Sequence, residues 1–425
     1  MAIADAGGAV LLEQRLRRLV RHGDLTIIGH NGREIRLGDG SGPPVALRLH
    51  DRALPLRLLL NAELTMPEAY MDGRLVIEEG DLRSLLALLL TNLRQFGPDL
   101  RFGYAARLLE LAGRLSRRNP IGRSRANVAH HYDLSDELYR LFLDSERAYS
   151  CAVFATGKED IDTAQREKER RIADKLLLRP GHRVLDIGSG WGALTRFLCE
   201  FAGRRVTATG ITLSTEQHAY AVARAAERGL DDRLDYRLID YRELEGRFDR
   251  IVSVGMFEHV GRPHYEEFFA KVRDLLTDDG VALLHSIGRA HGPYVTSPFV
   301  RKYIFPGGYI PALSEVLPAI ERAGLWVTDL EILRLHYAKT LRRWHERFAA
   351  NRARVEQIYD ARFYRMWEFY LIASELFFAI DDGMVFQVQL AKDRHAVPLT
   401  RDYLATATIA NRNENPGDAK LHRAC

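Results

Sequence analysis

The sequence predicts an α/β protein in which a seven-stranded, doubly wound sheet follows a smaller α+β N-terminal domain. Three observations predict it. From residue 183 onward, strand-length apolar runs alternate with amphipathic helical segments, the pattern of parallel strands joined by helical crossovers. The stretch Val184 to Gly192 is an apolar strand that ends in Asp186 and then carries Gly188, Gly190 and Gly192. That is the form of a ligand-binding turn at the carboxyl end of a strand in an open sheet. Residues 1–92 lack this alternation and mix short strands with helices.

In chain order, the N-terminal domain (1–92) opens with a basic amphipathic helix over Leu11 to Val20. Alternating strands follow at Leu25 to Ile28 and Val45 to Leu49, then the leucine-rich stretch Leu82 to Leu90. A basic amphipathic linker (93–125) leads to the larger α/β domain (126–398), with Asn119-Pro120-Ile121-Gly122 as a turn near the boundary. Strands are expected at Arg183 to Ile187, Arg205 to Thr209, Leu234 to Ile239, Arg250 to Val254 and Val281 to Ser286. Helices between them are expected near Leu194 to Glu200, Thr215 to Glu227 and Tyr265 to Leu275. Trp326 to Leu333 and Val385 to Ala391 complete seven strands, and helices over Leu341 to Tyr359 and Ala361 to Ile380 supply an aromatic wall. The tail (399–425), dense in Asn, Glu, Pro and Gly from Asn411 to Gly417, reads as frayed.

Glycines in the first turn let backbone pass close to a ligand, and the helix beyond offers unpaired N–H groups. A class I methyltransferase opens its S-adenosylmethionine (SAM) pocket this way. The loop also fits G-x-G-x-x-G/A through Gly188, Gly190 and Ala193. A dinucleotide site, however, wants a ribose-binding carboxylate about 20 residues later. Ala208 to Ser214 offers none, so the pattern favours SAM, with Gln217 assigned to the sugar in place of the usual acid.

Composition limits the function classes. The chain has 425 residues, 46% of them hydrophobic and 28% charged, enough for a full core and two domains. Apolar runs such as Leu85 to Leu90 fall short of the roughly 20 residues a membrane span needs, and the N-terminus lacks signal-peptide features. A cytoplasmic location is expected, which suits three scattered cysteines, Cys151, Cys199 and Cys425. No metal site is expected. The net charge of +4 is unevenly spread, with eight arginines between Leu93 and Val128 interleaved with Phe96, Phe102, Tyr104 and leucines. Such a segment can lie on an anionic bilayer, or can be a solvated basic helix packed on its own domain. No module for reading nucleic acid accompanies it.

Several motifs occur together: His131-Tyr132-Asp133-Leu134, Tyr149-Ser150-Cys151-Ala152, Asp186 to Gly192, Thr212-Leu213-Ser214 with Gln217, Phe257-Glu258-His259-Val260-Gly261, Leu284-His285-Ser286-Ile287-Gly288, and His336-Tyr337. Their order and spacing resemble the cyclopropane-fatty-acyl-phospholipid synthase family, with the mycolic acid cyclopropane synthases as relatives. The resemblance spans about 125–395. Glu68 to Gly73 resembles the N-terminal domain of the phospholipid-acting branch.

The resemblance implies methylene transfer from SAM to the cis double bond of an unsaturated acyl chain in a membrane phospholipid. An alkene can attack the sulfonium methyl if held in line and dry, and the resulting cation closes to a ring when a base removes a proton from the new methyl. Loss of a neighbouring proton instead gives methyl-branched or methylene products, and similar motifs also serve amine methylation. The base implied is bicarbonate, held by Cys151, Glu258, His285, the Ile287 backbone and Tyr337. His and Tyr can donate to an oxyanion, and Glu shares a proton with it. For SAM, the implied residues are Tyr149, Ser150, Asp186, Gly188, Gly190, Gly192, Thr212, Ser214, Gln217, Asp240 and Tyr241. Each has a plainer reading: Cys151 as a small buried residue, Tyr337 as packing near a strand end, Ser214 with Gln217 as a capping box. Many relatives carry a cysteine where Ser374 stands, so a thiol mechanism there is excluded. Tyr294, Phe299, Tyr303, Ile304, Phe305 and Tyr309, between the fifth and sixth strands, suit an acyl tunnel. The resemblance also implies a peripheral association with the inner membrane face and a homodimer.

Overall fold

The computed structural model describes residues 2–96, 135–201 and 205–404. The basic linker beyond Phe96, the His131 to Leu134 motif, Cys425 and the tail from residue 405 lie outside the described residues. No described helix is long and apolar enough to cross a membrane.

Two sheets organise the chain. The first has the order β2-β1-β3-β4, built from Asp24–Ile28 (β1), Glu34–Gly38 (β2), Pro44–Leu49 (β3) and Leu75–Glu79 (β4). Helices α1 (Ala2–Leu19), α2 (Leu54–Met71) and α3 (Leu82–Phe96) accompany it. Its core is Leu25, Ile27, Leu37, Val45, Leu47 and Leu49, the inward positions of the strands, closed by Leu54, Ala69 and Leu85 from the helices. α1 begins at Ala2, well before the expected Leu11.

The second sheet has seven strands in the order β10-β11-β9-β8-β5-β6-β7. β5 (Arg183–Ile187), β6 (Thr207–Thr212), β7 (Leu234–Leu238), β8 (Phe248–Val254) and β9 (Leu276–Arg289) pair in parallel. β11 (Gly383–Ala391) runs antiparallel between β9 and β10 (Trp326–Ile332). The chain moves outward from β5 through β6 to β7 and then returns to β8 on the other side of β5. The ligand crevice of an open sheet lies at such a reversal, outside the strands' carboxyl ends. β5 and β8 are buried along almost their whole length, as expected of parallel strands covered on both faces.

Helices α4 (Asp136–Phe142), α5 (Ile161–Lys175), α6 (Ala193–Glu200), α7 (Thr215–Glu227), α8 (Tyr265–Leu275) and α9 (Leu313–Arg322) complete the sandwich. The long helix expected over Leu341 to Tyr359 is instead two, α10 (His336–Ala350) and α11 (Arg352–Ile358), divided at Asn351, followed by α12 (Ala361–Ala379). β6 starts two residues later than expected and runs on to Thr212. α10 and α12 pack on each other, and α2 and α3 pack on α12. Tyr70 donates to Glu368 at 2.5 Å, Lys302 to Glu68 at 2.6 Å and Arg362 to Asp72 at 2.9 Å, while Arg83 pairs with Glu375. The N-terminal unit therefore rests on the aromatic helices rather than on the sheet.

Candidate active site

A cleft of about 1250 Å³, counting its open mouth, lies at the strand reversal. Its wall is drawn from the loops after four parallel strands: Asp186 to Trp191, Ile211 to Leu213 with Gln217, Ile239 to Arg242, and Val254 to Met256 with His259 and Val260. Arg147 to Ser150 and Lys168 close the remaining side.

The glycine turn is closed sterically. Gly188 and Gly192 have φ of +85° and +79°. A Cβ on Gly188 would sit 2.6 Å from the Met256 Cβ, and one on Gly192 would sit 2.4 Å from the Tyr236 hydroxyl. Gly188 and Gly190 line the cleft. Gly192 does not: it is the N-cap of α6, packed beneath Tyr236.

Asp186 is buried at the end of β5 and accepts from Thr195 Oγ1 at 2.7 Å. Burial lifts its carboxyl to about 6, with the Thr195 hydroxyl opposing that shift. Thr212 Oγ1 donates to Gln217 Oε1 at 3.0 Å, turning two polar side chains toward the cleft rim. Ser214 stays off the cleft lining and caps α7, accepting from the Gln217 N–H at 3.3 Å. The expected capping box is half made, because the Gln217 side chain serves Thr212 instead. Asp240 lines the cleft and takes bidentate donation from Arg242 at 2.8 and 2.7 Å; Tyr241 beside it packs edge-on against Phe268.

Tyr149 and Ser150 also line the cleft. The Tyr149 and Tyr370 hydroxyls lie 2.8 Å apart, and the Tyr149 ring stacks on Trp344 at 5.1 Å. Ser150 Oγ accepts from Lys168 Nζ at 3.3 Å. Sequence reasoning missed Arg147 and Lys168, the two cations of this wall. Arg147 stands at φ +63°, and its guanidinium lies 4.0 Å from the Tyr220 ring centroid. Its place directly before the Tyr149 motif was the available signal. A donor with carboxylate, sulfonium, sugar and adenine parts fits this set: cations at one end, a close backbone turn, then paired polar and acidic groups.

The remaining predicted residues lie behind the cleft lining. After β8 the chain enters a short 3-10 turn, Phe257–His259, which buries Glu258. Glu258 Oε1 accepts from the Ile287 N–H at 2.7 Å, bringing two of the predicted residues together. Its Oε2 is buried without a hydrogen-bond partner among the described residues. Burial raises this carboxyl to about 7, against the lowering effect of the Ile287 N–H. His259, named from sequence only within the Phe257 to Gly261 motif, lines the cleft; burial lowers it to about 4. His285 is buried on β9 with Nδ1 3.0 Å from Gln387 Nε2, and burial, aided by Lys168 and Lys175, lowers it to about 3. Both rings are neutral at physiological pH.

Cys151 is buried, its thiol directed at the Ala152 carbonyl at 3.3 Å, and burial pushes its ionisation far upward. The buried thiol is thereby kept in its protonated form. Tyr337 is in the first turn of α10, not at a strand end, and packs against Trp344 at 5.9 Å and Phe378 at 4.7 Å. The helix start was missed because its N-cap is Leu335, which offers no side-chain capping signal. Cys151, Tyr337, Tyr149, Trp191, Trp344, Trp367 and Tyr370 belong to one core cluster with Phe299, Ile304, Tyr303 and Phe305. Tyr149 and Trp191 also line the cleft, so cleft and aromatic cluster are continuous. Tyr309 leaves the expected tunnel set: it packs into the sheet core and donates to Glu315 at 2.8 Å.

A family model described as mycolic acid cyclopropane synthetase matches residues 121–388, which include every element of this site. The chain belongs to that family. Within the mycolic acid cyclopropane synthetase family it is similar to the cyclopropane-fatty-acyl-phospholipid synthase of Escherichia coli strain K12, at 35% identity over 82% of this chain and 88% of the relative. It is also similar to the tuberculostearic acid methyltransferase of Mycobacterium tuberculosis, at 32% identity over 91% and 92%. The crystal structure of a mycolic acid cyclopropane synthase complexed with SAH and CTAB superimposes with a TM-score of 0.60 at 34% identity. It covers 64% of this chain and 99% of that one. This member of the family is an enzyme, a SAM-dependent methyltransferase on a class I fold.

Proposed function

We propose that the enzyme transfers a methylene group from SAM to the cis double bond of unsaturated acyl chains in membrane phospholipids, forming cyclopropane fatty acids, with bicarbonate as base. When bound, SAM supplies an electrophilic methyl carbon and bicarbonate supplies a proton acceptor. The observation that carries the reading is Glu258: a buried carboxyl with one oxygen fixed by the Ile287 N–H and the other unpartnered among the described residues. A carboxyl poised near 7 can hold the proton that lets an anion sit beside it.

In this reading Cys151, Glu258, His285, the Ile287 backbone and Tyr337 hold the base. Neutral His285 and Tyr337 donate, which places negative charge without a competing cation. The rings of Tyr149, Trp344, Phe299, Phe305, Tyr337 and Tyr370 give a dry, electron-rich wall that stabilises positive charge on the acyl chain and offers nothing to capture it. On the donor side, Arg147 and Lys168 take the carboxylate end, Tyr149 and Ser150 the methionine part, Gly188 and Gly190 the close approach, Thr212 and Gln217 the sugar, and Asp240 with Tyr241 the adenine. Gly192 and Ser214 act indirectly, by shaping the helix starts.

Residues 1–92 serve in this proposal as a lipid-associated domain, 93–125 as a basic linker that grips anionic head groups, and 126–398 as the catalytic domain. The enzyme works as a homodimer in the cytoplasm, at the inner face of the membrane. The names of the relatives support a lipid substrate, and the arginine distribution supports a surface one. The test is expression in a host rich in unsaturated phospholipids, with new acyl chains analysed by mass spectrometry before and after hydrogenation and by NMR. Cyclopropane chains are expected. Reducible methylene chains, saturated methyl-branched chains or unchanged lipids would overturn the reading.

A further inference from the structure

Three polar residues lie in register across the antiparallel side of the main sheet: Glu331 on β10 faces Gln387 on β11, and Gln387 faces His285 on β9. Lys175, the last residue of α5, reaches the middle of this row. Its ammonium pairs with Glu331 and donates to Gln387 Oε1 at 2.6 Å. Gln387 Nε2 lies 3.0 Å from His285 Nδ1. Lys175, Gln387 and His285 are at most 2% exposed. The row is costly to bury and does not touch the cleft.

We infer that Lys175 and Gln387 are positioning residues whose task is to fix the tautomer of His285 as Nε2–H. The argument is one of donor and acceptor counting. An ammonium has three donors and no acceptor, so the Gln387 atom it contacts must be the carbonyl oxygen. The amide cannot turn over without setting its NH2 against that ammonium, so its NH2 faces His285. An NH2 has only hydrogens to give, so Nδ1 must present its lone pair. A neutral imidazole carries one proton, which is thereby placed on Nε2. The His285 ring has no other hydrogen bond among the described residues, which leaves Nε2–H as the donor it can offer a reaction partner. Glu331 completes the chain by holding the ammonium. The order Glu331, Lys175, Gln387, His285 thus carries orientation, not protons, from the sheet edge to the site.

This inference rests on the proposed role of His285 as a donor to the base, and its test keeps the two apart. Gln387→Glu retains size and the Lys175 contact but presents an acceptor to Nδ1, so it should move the ring proton to Nδ1. Nitrogen-15 NMR of the full-length protein labelled at histidine, with His285 assigned through His285→Gln, reads the tautomer directly. The wild type should show a protonated Nε2 and an unprotonated Nδ1, and Gln387→Glu the reverse. In the same variant kcat should fall by on the order of 10²- to 10⁴-fold, the scale at which a wrong histidine tautomer disables catalysis, while KM for SAM stays within about twofold. Lys175→Met frees the amide to turn and should show a mixture of tautomers with a smaller loss of kcat. A protonated Nδ1 in the wild type would overturn the inference, and that measurement needs no folded variant. Unchanged kcat in Gln387→Glu together with an inactive His285→Gln would overturn it too, leaving the role of His285 standing. An active His285→Gln would instead sink the underlying functional reading.

Discussion

Replacing Glu258 with glutamine should abolish turnover while making the protein less sensitive to alkaline pH. The carboxyl moves from an ordinary 4.5 to about 7 because the loss of water on burial outweighs the hydrogen bonding it regains, chiefly from the Ile287 N–H. A raised folded value means that the folded state holds the proton more tightly than the unfolded chain. The resulting contribution to stability is fully present below the unfolded value and is lost as pH rises through about 7. Between pH near 5 and pH near 8, linkage gives a loss of roughly 2–3 kcal/mol from this one group. Glutamine does not titrate, so that loss disappears in the variant. Its NH2 would replace Oε2, which has no partner among the described residues, adding a roughly pH-independent cost of about 1–3 kcal/mol. Urea unfolding of wild type and variant at both pH values therefore compares slopes, in which the constant cost cancels. A stability difference that does not change with pH would refute the reasoning, since the carboxyl would then titrate near its ordinary value. Turnover in Glu258→Gln equal to wild type would refute its place in the mechanism.

Gly188→Ala forces a Cβ to 2.6 Å from the Met256 Cβ at φ +85° and should weaken SAM binding at least tenfold by calorimetry, with the far-UV spectrum retained. Asn92 is buried and accepts the Arg21 and His22 N–H groups at 2.9 and 3.0 Å while donating to the His22 carbonyl at 2.9 Å; Asn92→Ala should cost about 2–4 kcal/mol and speed hydrogen exchange in α3 and β1 selectively. Binding to anionic phospholipid vesicles should fall steeply between about 0.05 and 0.5 M salt and survive poorly when the eight arginines of 94–125 are replaced by glutamine; salt-independent binding would count against the basic linker as the membrane grip.

The parallel half of the sheet was legible because its signals are local. Val184 to Ile187 are buried on both faces, so the strand reads as a nearly continuous apolar run broken only by Asp186, and Gly188 and Gly192 after it stand where positive φ and close contacts favour glycine. Elements without local signals were misjudged. α2 was missed because Pro67 lies inside it and Asn61 kinks it. Tyr337 was placed near a strand because α10 starts without a capping side chain. In the site, Glu258 and Ile287 are 29 residues apart and meet only through the fold, but their motifs named both. Lys175 and Gln387 escaped notice because one ends helix α5 and the other sits in buried strand β11, more than 200 residues later, with no local motif linking them. Only cross-strand register brings Glu331, Gln387 and His285 into line.

The central claim, that a base fixed by Glu258, His285, Ile287 and Tyr337 takes hydrogen from the newly delivered carbon, is tested most directly with SAM deuterated at its methyl group. Acyl chains converted by the wild-type enzyme should carry a ring carbon bearing two of the three deuteriums and should resist hydrogenation. Chains that retain all three deuteriums would contradict the account, because the departing proton would then have come from the acyl chain itself.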